Sequence, residues 1–466
     1  MTTAAKTPPR AEPPSVFHGE LRSMTIGLLL VITLVAFEAL AVATILPAVE
    51  DDLGGIEIYG WAFSGFFLAS LIGITWAGGE SDASGAIRPF VIGLTLFAAG
   101  LVVATLAPSM WVIVLGRCIQ GLGAGAIPPV VYFVIARAYD EDQRPRLFAL
   151  MASAWVLPSL IGPGIAGVIA DYLHWRIVFA GLLPMLAVAA ALTLPALRRV
   201  PNEVARTVER RTGSAVQLAI GAAILLAGAT SGRPLLVVAG AVLGIAVATP
   251  ALRRVLPPGT LSAARGMPAG VLGMGLLNMA FFGADSFIPL TLTDVRGQSA
   301  LFAGAVITAA SLSWTAGTWT VDRLATRIER RRLVAVGLAI LTTGILAISL
   351  VLLDQVPVWW AFIASGIAGL GIGMTYPSYS LTVLAAARPG EEGAASASLK
   401  LNEVLGAALG AGLVGSLVAA GDAGGWQTEA LGLGYAAMAA VGVVALIASR
   451  RLPANAESRP ESAVAG

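Results

Sequence analysis

Fourteen long apolar stretches, separated by short gaps that hold nearly all of the charge, constrain this 466-residue chain more than any other feature. They lie at about 24–46, 58–78, 86–107, 110–136, 147–170, 176–197, 214–231, 234–250, 267–292, 301–320, 333–353, 357–386, 394–419 and 431–449. Some 20 apolar residues, rising ~1.5 Å per residue as a helix, cross the ~30 Å hydrocarbon core of a bilayer. Inside lipid every peptide group must be satisfied within the chain, and a helix does this in one segment. The sequence therefore predicts an all-α membrane protein with 14 transmembrane helices. Apolar residues make up 57% of the chain and charged ones only 12%, with mean hydropathy +0.83, which excludes an ordinary soluble domain.

The basic residues set the orientation. Of 29 Lys and Arg, 24 fall in alternate gaps or the termini, while the other gaps hold only Arg176, Arg233 and Arg296. Arg117 and Lys400 lie inside spans. Since Lys and Arg collect on the cytoplasmic side, both termini are expected there. Trp61, Trp111, Trp175, Trp359, Trp360 and Trp426 fall near outer span ends, where an interfacial aromatic belt would sit. Residues 1–23 are Pro-rich and polar, without the apolar core of a signal peptide. Cys118 is alone, so no internal disulfide is available. His18 and His174 lie apart, and no pattern resembles a metal site or a phosphate loop, so neither metal nor other cofactor is expected. Nothing points to nucleic acid. The use of 27 Arg against 2 Lys suggests a GC-rich bacterial genome, and with it a location in the bacterial cytoplasmic membrane.

The chain repeats itself. Gly121, Gly123, Gly125 and Pro129 in GLGAGAIPP match Gly369, Gly371, Gly373 and Pro377 in GLGIGMTYP at a shift of 248. At the same shift Gly162, Gly164 and Gly167 match Gly410, Gly412 and Gly415. Two pseudo-symmetric six-helix halves follow, 24–197 and 267–450, related by an axis along the membrane normal, with a site expected between them. Residues 198–266 form a linker carrying two inserted helices, 214–231 and 234–250; residues 1–23 and 451–466 are cytoplasmic tails. The architecture reads 6 + 2 + 6. Gly121 and the glycines of GPGIAG let helices approach closely. Pro158 and Pro163 remove backbone donors and make the fifth span bendable, so a hinge and static packing both fit.

Charge inside a bilayer costs about 2.5–3.5 kcal/mol at a helix centre, so each case needs a reason. Glu38, Arg117 and Asp285 each lie about seven or eight residues from an outer span end, roughly 10–12 Å deep at ~1.5 Å per residue. Their common depth predicts one polar, water-reachable chamber between the halves; the alternative is a structural ion pair with Arg117. In the second copy Arg117 and Gln120 become Ser365 and Ala368 while the glycines persist, so helix geometry does not demand the charge. Carboxylates in a low-dielectric cavity can exchange protons near neutral pH, and a neighbouring Arg opposes this. Glu38, Arg117, Asp285 and Gln120 are therefore candidates for proton coupling. Asn278, Phe281, Phe282, Trp155 and Trp314 are candidate walls of a substrate cavity, against plain lipid- or core-facing packing. Lys400 and Glu403, three apart, can pair across one helical turn, as structure or as an inner gate.

These residues carry a resemblance. LGRCIQGLGAGAIPP (115–129) resembles the Arg-x-x-Gln-Gly-x-Gly signature on the fourth helix of major facilitator drug:proton antiporters. GPGIAGVIADYLHWRIVF (162–179) is similar to their helix-five motif and the opening of helix six. EALAVATILP (38–47) resembles the helix-one motif of the fourteen-span branch, with Glu38 for its Asp and Ala43 for its central Asn. GGESDASGAIR (78–88) keeps Gly78, Asp82 and Gly85 of the loop between helices two and three, with Arg88 one place late for a basic position. VDRLATRIERRR (321–332) keeps Asp322 and Arg323. The resemblance implies the major facilitator fold and an exporter of amphiphilic or cationic small molecules driven by inward proton flow; a monomer is expected. It also implies proton coupling at Glu38 and Arg117, alternating access at the GPGIAG glycines and cytoplasmic gating at Asp82 and Asp322. Asp285 lies outside its motifs. A lipid or metabolite exporter, a uniporter, and a non-transporting receptor or subunit are the alternatives; no nucleophile–base pair suggests an enzyme.

Overall fold

The computed structural model describes residues 16–17, 21–200, 212–324, 327–387 and 392–453. Most of both expected tails, His18, the linker residues 201–211 and Arg388 lie outside the described residues. Each of the fourteen apolar stretches forms a long helix. In the first half these are α1 (Leu21–Leu53), α2 (Tyr59–Ser84), α3 (Ile87–Thr105), α4 (Met110–Ala138), α5 (Arg144–Tyr172) and α6 (Arg176–Leu197). The inserted pair is α7 (Thr212–Thr230) and α8 (Pro234–Val255). The second half holds α9 (Met267–Asp285), α10 (Ala300–Leu324), α11 (Arg330–Ser349), α12 (Trp360–Ala385), α13 (Glu392–Gly424) and α14 (Gln427–Ser449). Thirteen of these are long and apolar enough to cross a membrane by length and composition. The other, α12, is 26 residues long, and its Gly, Ser, Thr and Tyr content makes it less apolar.

The repeat is visible as packing. A Cβ on Gly121 would come within 2.2 Å of the Phe66 carbonyl oxygen on α2, and one on Gly369 within 2.0 Å of the Ala310 carbonyl oxygen on α10. Gly125 and Gly373 repeat this against Ser70 and Trp314, at 2.2 and 2.1 Å. Gly123 meets Phe97 of α3 as Gly371 meets Leu341 of α11. Each half thus folds around a glycine-faced helix, α4 or α12, whose backbone touches two neighbours. Small residues at such crossings are what lipid-embedded helices use in place of a hydrophobic driving force.

The inserted pair bridges the halves. Leu218, Ala222 and Leu226 of α7 bury against Leu68 and Leu71 of α2 and Leu405 and Ala408 of α13. Near the other end of α7, the Thr230 and Ser416 hydroxyls share a hydrogen bond of 2.9 Å. The two halves also touch directly, on the side that is outer in the orientation expected from the basic residues. There Gly60 lies against Gly415, and the Ser64 hydroxyl donates to the Ala408 carbonyl at 2.9 Å. Tyr59 and Phe63 of α2 pack their rings on Phe287, with centroids 5.5 and 6.3 Å away. Of the tryptophans expected in a belt, Trp111 and Trp359 are exposed at helix ends, but Trp175 is buried and its indole donates to Asp52 at 3.1 Å. Trp175 is therefore a structural donor.

Adding one methyl separates tight from loose glycines. Gly121→Ala and Gly369→Ala each force a Cβ against a backbone oxygen and should cost about 1–3 kcal/mol, the usual scale of overpacking. Gly164 has nothing within 4 Å of its Cβ position, so Gly164→Ala should leave stability unchanged. Melting temperatures of the three variants in detergent test this contrast.

Candidate functional site

Glu38 and Arg117 meet. Glu38 lies mid-way along α1 and Arg117 two turns into α4, and both side chains are almost wholly buried, at 0% and 3% exposure. The guanidinium Nη1 donates to Glu38 Oε1 and, at 2.9 Å, to Gln120 Oε1 one turn along α4. Its Nε donates to the Ala62 carbonyl of α2 at 3.1 Å, and its face lies 4.1 Å from the Phe66 ring centroid. One cation thus ties α1, α2 and α4. Glu38 Oε2 and Gln120 Nε2 have no hydrogen-bond partner within the described chain.

Asp285 is elsewhere. It lines a small cavity with Phe281, Ala284 and Ile288, Ile345 and Ile348 from α11, and Ser365 and Ala368 from α12. Every one of these residues belongs to the second half. The expectation that Glu38, Arg117 and Asp285 share one chamber is therefore corrected. Equal depth fixes height in the membrane but not which bundle a side chain turns into, and Asp285 turns into its own. Arg117 is already committed to Glu38, so Glu38 and Asp285 have different surroundings.

Of the candidate wall residues, Phe282, Phe281 and Trp314 stand in one row of rings that extends beyond them on both sides. From Arg117 the row runs over Phe66 and Phe67 of α2, then crosses between the halves to Phe282 of α9 at 5.8 Å. It continues to Phe281 at 5.2 Å, to Trp314 of α10 at 5.3 Å and to Tyr376 of α12 at 6.1 Å. There the Tyr376 hydroxyl donates to Glu403 Oε2 at 2.8 Å, and Lys400 Nζ donates to Glu403 Oε1 at 2.7 Å. Lys400 is 45% exposed although it sits about two turns inside α13. A Lys at that depth faces water or protein rather than lipid. Trp155, also exposed, takes part in none of the described ring pairs. Asn278 is buried and donates to its own helix at Met274, leaving Oδ1 unpartnered.

The motif residues divide by what they touch. Gly167 packs against Leu301 of α10, and the Pro163 carbonyl against Gly304, so this part of α5 is a contact between the halves. Gly162 faces Phe37 and Gly164 faces open space. The helix α5 runs unbroken through Pro158 and Pro163. Just beyond, Asp171 accepts from the Ala300 and Leu301 amides at 3.0 and 2.9 Å, capping α10 from the other half. A carboxylate at a helix N-terminus satisfies otherwise unpaired amides and meets the positive end of the dipole. At the inner end of α2, Gly85 has φ +81°, which favours glycine, and Arg88 pairs with Glu80 at 2.9 Å while Asp82 is exposed. Gly78 has only Pro129 near its Cβ position, at 4.0 Å, and Asp322 and Arg323 are exposed at the end of α10. Phe66, Phe67, Tyr376, Glu80 and Asp171 are the site residues that sequence reasoning passed over.

Breaking one member of a buried ion pair leaves an unpaired charge and costs about 3–5 kcal/mol, whereas replacing both by apolar groups is often neutral. Glu38→Met and Arg117→Met should therefore each lower the melting temperature in detergent, and the double variant should recover most of the loss. Equal melting of all four proteins would mean that the pair contributes nothing to stability.

Sequence comparison agrees with this architecture. The family model described as Major Facilitator Superfamily matches residues 28–411 and 271–465. The methylenomycin A resistance protein of Bacillus subtilis is 25% identical over 405 residues, covering 85% of this chain and 86% of that one. The multidrug transporter protein MdtP of the same organism is 24% identical, covering 84% and 74%. Among solved structures, a bacterial homologue of the human lysosomal transporter Spinster, inward-facing and unoccupied, superposes with a TM-score of 0.65 over 92% of this chain and 96% of that one, at 15% identity. The POT family transporter PepTSo gives 0.66 over 92% and 97%, at 12% identity. With its family match spanning both halves and its helices in the 6 + 2 + 6 order, the chain belongs to the Major Facilitator Superfamily and is a multi-pass membrane transporter, not an enzyme.

Proposed function

We propose that this transporter exports amphiphilic or cationic drug-like compounds by alternating access, in exchange for protons entering the cell. The observation that carries the reading is the aromatic row from Phe66 to Tyr376, which crosses from one half to the other and ends near Arg117 on one side and Glu403 on the other. Rings of this kind hold flat apolar bodies by stacking and attract cations to their faces, without demanding one fixed hydrogen-bond pattern. Resistance and multidrug transport in the names of the relatives support the same substrate class.

Buried acids within the membrane are the natural carriers of coupling protons, and Glu38 and Asp285 supply two. Contacts between the halves near the outer ends, with Lys400 accessible on the inner side, suit a state that loads substrate from the cytoplasm. In this reading the protein works as a monomer in the bacterial cytoplasmic membrane with both termini inside. Lys400 with Glu403, and the loop residues Gly78, Asp82, Gly85, Arg88, Asp322 and Arg323, act at the inner gate. The glycines and prolines of α5 shift against α10 as the halves rock.

Proteoliposomes carrying a pH-sensitive dye inside test this directly. Ethidium, a planar aromatic cation, should move against its gradient when a pH gradient is imposed, and transport should stop when an ionophore collapses that gradient. Continued ethidium flux after collapse would identify a uniporter. Phe282→Ala should reduce ethidium transport at least several-fold by opening a gap where the row crosses between the halves.

A further inference from the structure

The proton-driven reading leaves two acids, and their surroundings differ in kind. We infer that the transported proton is carried by Asp285, in the cavity between α9, α11 and α12, while Glu38 stays a fixed partner of Arg117. This rests on the proton-coupled reading above and names the group that performs it.

Four observations meet at Asp285. Its cavity walls are apolar apart from Ser365, which stands where the repeat places Arg117 in the other half. Ser365 is 1% exposed and its Oγ has no partner within the described chain, so a buried hydroxyl is available to the acid's proton or oxygen. Among the described residues no Lys or Arg lines the cavity; of α13 and α14, which also pack on α9, the titratable neighbour is Tyr435 of α14, whose hydroxyl is shared with Thr291 at 2.7 Å. A lone carboxylate in such a place is expensive when ionised, and a bound proton removes that cost. A metal ion would need several oxygens where this cavity offers a carboxyl and a hydroxyl.

The backbone gives the fourth observation. The helix α9 ends at Asp285: Ser286 and Phe287 form a turn, Ile288–Leu290 resume a helix, and Thr291–Val295 wind as a π-helix. Asp285 therefore sits at a break within the Met267–Val295 span. Broken helices at membrane depth are tolerated where they line a cavity, and they mark ion sites in transporters. Phe287, two residues along, is the ring that packs on Tyr59 and Phe63 of the other half. Phe281, one turn earlier, lies in both the cavity wall and the aromatic row. Loss of the proton from Asp285 would place a charge at the break, next to the outer contact and to the substrate path.

The test compares wild type, Asp285→Asn, Asp285→Glu and Glu38→Gln, each as full-length protein in proteoliposomes. Ethidium-driven proton movement and ethidium counterflow are measured on the same preparations; counterflow carries ethidium both ways and needs no proton. For Asp285→Asn, proton movement should fall at least tenfold while counterflow continues, which excludes misfolding; Asp285→Glu should restore part of the proton movement. The purified wild type should release protons on adding ethidium, as should Glu38→Gln wherever it binds ethidium. Full proton movement in Asp285→Asn, or its loss in Glu38→Gln with counterflow intact, overturns the assignment to Asp285. Ethidium transport without any proton movement in wild type overturns the proton-coupled reading itself.

Discussion

Neither Glu38 nor Arg117 could stand alone in the interior of this bundle, and the first half is arranged so that neither does. The guanidinium spends its donors on the Glu38 carboxylate, the Gln120 amide and the Ala62 carbonyl. Because those partners come from α1, α4 and α2, the pair fixes the relative rotation of three helices. A buried charge is tolerable only when it is paired and hydrogen-bonded. That requirement is also a specification: any slip of α1 against α4 by a fraction of a turn would strand both ions. The pair makes the first half stiff where the aromatic row begins.

The second half has the same helix crossings without the charge. Gly369, Gly371 and Gly373 hold α12 against α10 and α11 as Gly121, Gly123 and Gly125 hold α4 against α2 and α3. Backbone contact is therefore common to both halves, and what differs is the polar content poured into it. Where the first half has Arg117, the second has Ser365; where α1 runs unbroken for 33 residues, α9 stops at Asp285. The duplication supplies two bundles of one shape, and the asymmetric side chains give them different tasks.

The sequence made the topology plain because lipid leaves so few options: helix number, the 6 + 2 + 6 order and the repeat all follow from hydropathy and glycine spacing. It made a side-chain neighbour plain for Lys400 with Glu403, while the Glu38–Arg117 pair stood only as the alternative to a shared chamber. It misled over Asp285, since counting residues from a span end measures depth, while about 100° of rotation per residue decides the facing. The break after Asp285 had a signal in Pro289, which cannot donate to a helix turn. The pairs Phe66–Phe67 and Phe281–Phe282 looked like ordinary packing until the fold set them in one row. Asp171 lay inside a motif read for its glycines, and its role needed the start of α10 to come within reach.

Coupling between two solutes needs an element whose two arrangements both solutes bias, and proximity alone does not supply one. The end of α9 has the required composition. Within seven residues it carries Phe281 and Phe282 of the aromatic row, the Asp285 carboxyl at the break, and Phe287 of the contact with α2. In the proposed exchange a planar cation on the row would press on Phe281, which is also a wall of the acid's cavity. A charge appearing on Asp285 acts on the broken backbone that holds Phe287 against Tyr59. In the proposed exchange, a fixed ion pair on one side and a broken, single-acid helix on the other would divide the labour: the first half would provide the reference surface, and the second the part that moves as proton and cargo exchange.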